Sequence, residues 1–200
     1  MKKRFFILAA VLAAVTVAAL PGCSTNTQGD SASPVFLAGD FELLPAGKCV
    51  NDTTPLQFST TVLRNRLKNP VVTSTQFLDV QVDQYIVVWT RVDGGTTASP
   101  SQTFPGNFLV PPNGLSTLTN YIYMSLDDLI RPPLDQLFPF NGGVDKETGK
   151  AEIRQAGNVT WYGHTLSGQP VTSDVATFGM IFTYCGSAGR IEAKRAQVTR

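Results

Sequence analysis

The chain has 200 residues, of which 42% are hydrophobic and 16% are charged, and its formal net charge is +1. This length suits a single domain that can bury a core without the help of metal ions. The near balance of charge excludes a basic field for nucleic acid, and we expect no polybasic patch for anionic lipid.

The first segment has the layout of a secretory signal. Lys2, Lys3 and Arg4 precede an apolar stretch, residues 5–20, which is interrupted only by Thr16. A basic start followed by an apolar run is typical of export signals. The run is shorter than the roughly 18 residues of a membrane span, which disfavours the alternative of a permanent anchor helix.

The apolar run ends in the tetrad Leu20-Pro21-Gly22-Cys23, which resembles the bacterial lipobox although Pro21 replaces the usual Ala, Ser or Thr. The resemblance implies diacylglyceryl attachment to Cys23, cleavage before it and acylation of the new amino group. Ser24, in place of Asp, implies the outer membrane of the cell envelope. We predict a signal peptide over residues 1–22, a tether over residues 23–34 and lasting membrane attachment, because several acyl chains act together. An ordinary signal with a chance cysteine is the alternative.

The other cysteines, Cys49 and Cys185, follow the export signal into an oxidising compartment, where paired thiols usually form a disulfide. Such a bond would close a loop of more than 100 residues, worth about 4.7 kcal/mol in the chain-entropy model. Two buried free thiols are the alternative. Two cysteines and the single histidine, His164, make no zinc ligand set.

The mature chain alternates apolar and polar residues with a period of two, which indicates strands. Residues 85–92 (YIVVWTRV) are apolar on both faces, which predicts a central strand that is covered on both sides. Residues 118–126 (LTNYIYMSL) read as another strand. Residues 158–168 (NVTWYGHTLSG) and 175–185 (VATFGMIFTYC) read as a β-hairpin.

Two segments, residues 93–116 and 126–150, are rich in Pro and Gly and are predicted to be long loops. The second has leucine spacing for one or two short helical turns, interrupted by Pro132-Pro133. We therefore predict an all-β fold: an antiparallel β-sandwich over residues 35–189, followed by a polar tail over residues 190–200. After removal of residues 1–22 the charge would be −2, from 13 basic and 15 acidic residues.

The stretches YIVVWTRVDGG and GNVTWYGHTLSGQPVTSDVATFGMIF resemble a set of uncharacterised bacterial envelope proteins with immunoglobulin-like or fibronectin-like sandwiches. The resemblance implies an immunoglobulin-like architecture and brings no catalytic residues with it. The chain departs from true immunoglobulin domains, because Cys49 and Cys185 are too far apart and Thr183 stands where the tyrosine corner requires Tyr.

We find no catalytic constellation in the sequence. His164 is expected at the surface, and no nucleophile elbow or phosphate-loop lysine is present. The paired carboxylates at Asp79 and Asp83, and at Asp127 and Asp128, could hold Ca²⁺ but are typical of solvated turns and caps. We expect no metal and no cofactor.

Four phenylalanines lie on the Pro-rich segments: Phe104, Phe108, Phe138 and Phe140. Exposed together they would form an interaction patch. Tucked under, they would plug the open ends of the sandwich, which is the interpretation we favour.

These observations predict a lipid-anchored envelope protein whose sandwich has a binding or structural role and is not an enzyme. Its partners would be the membrane, through the lipid, and another envelope protein or a glycan. Alternatives are a carbohydrate-binding or adhesion module and, less favoured, a secreted hydrolase.

Overall fold

The longer strands mostly alternate more buried with more exposed residues, as the period of two in the sequence predicts. The computed structural model describes residues 33–42 and 47–186. The expectations for the signal peptide, for Cys23, for most of the tether and for the tail over residues 190–200 lie outside the described residues.

The described residues form eleven strands: β1 Val35–Glu42, β2 Lys48–Cys49, β3 Leu56–Phe58, β4 Thr60–Leu67, β5 Val80–Arg91, β6 Gln102–Val110, β7 Leu115–Leu118, β8 Tyr121–Met124, β9 Glu152–Thr165, β10 Pro170–Thr172 and β11 Ala176–Thr183. The described residues also contain four short helical segments, whereas the sequence predicted one or two helical turns. They comprise a single α-helical turn, α1 Leu126–Leu129, and the 3₁₀ helices Gln76–Leu78, Leu134–Leu137 and Pro139–Asn141.

The strands are arranged in three sheets. The large sheet has the order β2-β11-β9-β5-β6, with β10 also paired to β9. The small sheet has the order β1-β4-β7, and β3 pairs with β8. All pairings are antiparallel except the short one between β2 and β11. The predicted all-β, antiparallel, sandwich-like class is therefore confirmed.

The core is an aromatic cluster between the sheets. Phe41 of β1 lies 5.1 Å from Phe178 of β11 and 6.0 Å from Trp161 of β9, measured between ring centroids. Gly39 of β1 allows this close approach, because a Cβ atom there would lie 2.1 Å from the Trp161 ring. Burial of large aromatic rings is the main favourable term that joins the sheets.

The predicted hairpin near the C-terminal end is confirmed. Strand β9 pairs antiparallel with β10 and then with β11 along the same edge. Gly168, with φ of +87°, forms part of the turn after β9, where glycine adopts a left-handed conformation without strain. Val159 and Trp161 face the core, and the alternate residues face outward, as the period of two requires.

The prediction of a loop over residues 93–116 is wrong in part, because β6 and β7 occupy much of it. Proline is tolerated in β6 because this strand is the edge of the large sheet. Pro105 pairs with Gln84 next to a register shift in β5. Composition alone could not distinguish an edge strand from a loop here.

Two strand predictions also need correction. Strand β5 is central in the large sheet, but its outer face is not covered: Val88 is 45% exposed, and Val92, just after the strand, is 61% exposed. The stretch 118–126 is not one strand: it holds the end of β7, all of β8 and the first residue of α1, and Asn120, with φ of +58°, turns the chain between β7 and β8. Tertiary packing, which a single strand's pattern does not contain, decides both outcomes.

Candidate functional site

Cys49 and Cys185 form the expected disulfide, and their Cα atoms lie 5.4 Å apart. Parallel pairing of β2 with β11 brings Cys49 opposite Thr183, two residues before its partner. The bond joins positions 136 residues apart in sequence. It therefore fixes the edge strand β2 to the end of β11.

Asn51 holds the backbone of Cys185, at the β11 end of this disulfide. Its side-chain amide donates to the Cys185 carbonyl at 3.0 Å, and its side-chain oxygen accepts from the Cys185 N–H at 3.0 Å. Val50 adds a backbone hydrogen bond to the Thr183 carbonyl at 2.9 Å. The end of β11 is thus secured by both covalent and hydrogen bonds.

A buried ion-pair network, formed by Arg91, Asp93 and Asp145, lies at the same end of the large sheet. The Arg91 guanidinium donates to both Asp93 oxygens, at 2.8 and 3.0 Å, and to Asp145 Oδ2 at 2.7 Å. The three side chains are 2%, 1% and 0% exposed. Gly95 is required beside the guanidinium, because a Cβ atom there would lie 2.3 Å from Arg91 Nη2.

The network keeps its carboxylates ionised. Burial disfavours the charged form of Asp93, but hydrogen bonds from Arg91 and from the backbone N–H groups of Arg154 and Gly95 outweigh it and lower the pKa to about 2. Burial likewise opposes ionisation of Asp145, and bonds from Arg91 and Thr148 lower its pKa nonetheless. Carboxylates held in this way are structural anions and are not poised as general acids near neutral pH.

The neighbouring loop is closed by Glu147, which accepts hydrogen bonds from the side chains and backbone N–H groups of Thr96 and Thr97. These bonds, led by the one from the Thr97 hydroxyl, lower the pKa of Glu147. Together with Asp145, this residue ties the loop after β5 to the loop before β9. Sequence reasoning missed these contacts, since the partners lie about 50 residues apart.

The four phenylalanines lie in two separate regions, two on β6 and two near the 3₁₀ helix Pro139–Asn141. Phe104 stacks on Tyr85 at 5.2 Å and Phe108 meets the edge of the Tyr121 ring at 5.6 Å, so both half-buried rings pack on the core side of β6. Phe138 lies 5.3 Å from Phe140, and only Phe140, 81% exposed, stands in solvent.

The polar residues singled out in the sequence make local contacts, and Asp128, 6% exposed, is buried. His164 lies 2.9 Å from Asp83 Oδ2, with both side chains about half exposed. Asp128 accepts from Ser125 at the start of α1. Among residues 33–42 and 47–186, no group of three or more His, Cys, Asp or Glu side chains could hold a metal ion. The same residues include no helix long and apolar enough to cross a membrane.

One end of the outward face of the small sheet carries three basic residues. Arg64, Arg66 and Lys68 stand at alternate positions of β4 and its end, so all three fall on one side of the sheet. We call these three residues the basic ridge. Within the described part of the chain, Arg64 and Arg66 form no ion pair, and Lys68 Nζ lies 5.0 Å above the Phe36 ring.

A shallow depression of about 200 Å³ lies beside the ridge and is lined by Arg64, Asn65, Arg66, Asn113, Gly114 and Leu115. The depression lies beside the tight turn between β6 and β7, which contains Gly114 and Asn113, the latter with φ of +53°. Its lining contains two guanidinium-bearing residues and no carboxylate, so it favours an anion. The alternating sequence Arg-Asn-Arg-Leu-Lys was the signal that could have revealed this face.

Comparison with known proteins assigns the chain to no family. No protein-family model matches the chain, and no curated protein matches it.

Proposed function

We propose that the chain is a lipid-anchored protein of the cell envelope whose sandwich-like domain serves binding or structure. The observation that carries the proposal is the tetrad Leu20-Pro21-Gly22-Cys23 at the end of an apolar run that begins after three basic residues. A thiol at that position, next to small residues, is the chemistry that lipid attachment requires.

The disulfide supports export. Cys49 and Cys185 are joined in the folded domain, and such bonds persist in oxidising compartments and are rare in the cytosol. The first strand of the described domain begins at Val35. Anchoring at Cys23 would therefore leave only a short segment between the lipid and the fold.

Three carboxylates of the domain are engaged in structural contacts, which supports a non-catalytic role. Asp93 and Asp145 are committed to Arg91 with lowered pKa values, and Glu147 is committed to backbone N–H groups. A hydrolase of the kind considered above would instead need two carboxylates at an accessible site with separated pKa values. The outer membrane, implied by Ser24, is part of the same proposal.

Metabolic labelling with a clickable palmitate analogue tests the anchor. The wild-type chain should carry the label, and Cys23→Ala should lose it, whereas Cys49→Ala combined with Cys185→Ala should retain it. Intact-mass analysis should show an N-terminus at acylated Cys23. Absence of label from the wild type, or a mature chain that still begins at Met1, would refute the proposal.

A further inference from the structure

We propose that the basic ridge, Arg64, Arg66 and Lys68, docks on an anionic phospholipid surface, namely that of the membrane to which the chain is anchored. This inference rests on the proposed function, because the anchor supplies the membrane. It goes beyond it by naming the face of the domain that meets the lipid headgroups.

The point at which the chain enters the described domain is the first argument. The tether leads into Pro34, whose carbonyl accepts a hydrogen bond of 2.9 Å from the Lys68 N–H. The next outward position, Phe36, pairs with Arg66. The chain therefore enters the domain directly at the ridge. Cys23 lies eleven positions before Pro34, so a fully extended tether reaches about 40 Å at most.

Charge complementarity is the second argument. Alternate residues of a strand are about 7 Å apart, so the ridge presents a row of cations along one face. Lys or Arg near an anionic membrane surface is attracted strongly at physiological ionic strength. The acidic residues of the same outer face, Asp40 and Glu42, pair with Val62 and Thr60 at the opposite end of β4. The face is thus basic at the end where the tether enters and acidic at the other.

The shape of the face is the third argument. The depression of about 200 Å³ beside Arg64 and Arg66 is smaller than the roughly 300 Å³ at which pockets for drug-sized ligands begin. A shallow depression of this size, lined by two guanidinium groups, suits a small anionic group such as a phosphate. Leu115, 50% exposed at its rim, adds an apolar contact that a headgroup region accommodates. The outer face of the large sheet, where Val88 and Thr177 lie, has no comparable row of cations.

The lysines themselves provide the test. The mature, acylated chain is reconstituted into vesicles of phosphatidylcholine alone, or of phosphatidylcholine with a minority of phosphatidylglycerol. Both samples are treated briefly with an amine-reactive acetylating reagent, and modification of each lysine is measured by mass spectrometry. Lys68 reports on the ridge, while Lys146 and Lys150, exposed on the loop before β9, are controls within the same molecule.

We expect acetylation of Lys68 to be roughly fivefold slower or more in the anionic vesicles, the factor that a single basic residue near such a surface contributes. Lys146 and Lys150 should react equally in both. The difference at Lys68 should disappear in 1 M salt, where the Debye length is about 3 Å. It should also disappear in Arg64→Gln combined with Arg66→Gln, and persist in the control Arg131→Gln combined with Arg154→Gln, which removes the same charge elsewhere.

The outcomes separate the two proposals. Flotation of the vesicles on a density gradient shows whether the chain is attached to them. A chain that floats with both kinds of vesicle but is acetylated equally at Lys68 in both is anchored without docking. This result overturns the inference and leaves the proposed function intact. A chain that floats with neither is not anchored, and both proposals fail. Equal slowing at Lys68, Lys146 and Lys150 would show non-specific adsorption and would also overturn the role of the ridge.

Discussion

Two crosslinks, one covalent and one ionic, lie at the same end of the large sheet, one on the β2 side of β9 and the other on its β5 side. On the β2 side, the disulfide joins Cys49 to Cys185, and Thr183 pairs with Glu152 at the start of β9. On the β5 side, Arg91 pairs with Gln155 of β9 and holds two buried carboxylates. The disulfide acts mainly by restricting the unfolded chain, whereas the ion pairs act in the folded state. The two should therefore fail under different conditions.

Removal of the buried cation should have the largest effect. In Arg91→Met, Asp93 and Asp145 would remain buried without their counter-ion, and the free energy of unfolding should fall by about 3–5 kcal/mol. Urea unfolding at neutral pH measures this loss. The matched control is Arg154→Met, which removes a side chain that is 52% exposed and, among the described residues, forms its one ion pair with Glu152; it should cost less than about 1 kcal/mol. Equal losses in the two variants would contradict the ranking.

Loss of the disulfide should come next. The double variant Cys49→Ser, Cys185→Ser removes a bond across a sequence separation of 136 residues, and we expect a loss of about 2–5 kcal/mol. Wild-type protein with reductant should match the double variant, and the double variant itself should not respond to reductant. Identical melting temperatures for wild type with and without reductant would show that the bond does not stabilise the domain.

Acid should weaken only the ionic crosslink. The folded-state pKa of Asp93 is lowered from 3.8 to about 2, so its contribution is complete above pH of about 4 and is lost as the pH falls through about 2. The expected loss is about 2 kcal/mol, read from urea unfolding at a series of pH values. The disulfide-free variant should show the same acid dependence as wild type, whereas Arg91→Met should show a weaker one. An unchanged profile in Arg91→Met would contradict the assignment.

The smallest effect concerns the hydrogen bonds beside the disulfide. Asn51→Ala removes both side-chain bonds to the Cys185 backbone and should cost about 1 kcal/mol. In the disulfide-free background the same substitution should cost less, because the end of β11 is then less firmly held. A double-mutant cycle by urea unfolding measures this coupling. Strict additivity would show that Asn51 acts independently of the crosslink.

The sequence was sufficient for features that depend on local pattern or on few possibilities. The period of two in residues 158–168 and 175–185 predicted the hairpin with its turn. With Cys23 set aside, only one disulfide was possible. The leucine spacing around Pro132 predicted the short helical turns that occur there as α1 and the 3₁₀ helix Leu134–Leu137.

The features that escaped prediction depend on contacts between distant segments. Nothing near Arg91 identifies Asp145, 54 residues away, as its partner. The exposed outer face of β5 follows from how the sheets stack, which its apolar sequence cannot specify. The basic ridge was not predicted because net charge does not tell which side chains lie on the same face of a sheet. Three cations in a chain of net charge +1 form a patch once the alternation of β4 places them on one side.

The edges of the large sheet bear on how copies of this protein behave at high local density. An unprotected edge recruits strands from other chains and leads to aggregation. Here one edge is β2, only two residues long and covalently locked, and the other is β6, where Pro105 offers no N–H and the register shifts beside it. The same proline that made this strand look like a loop also removes one hydrogen-bond donor from this edge, which disfavours extension of the sheet by a neighbouring molecule.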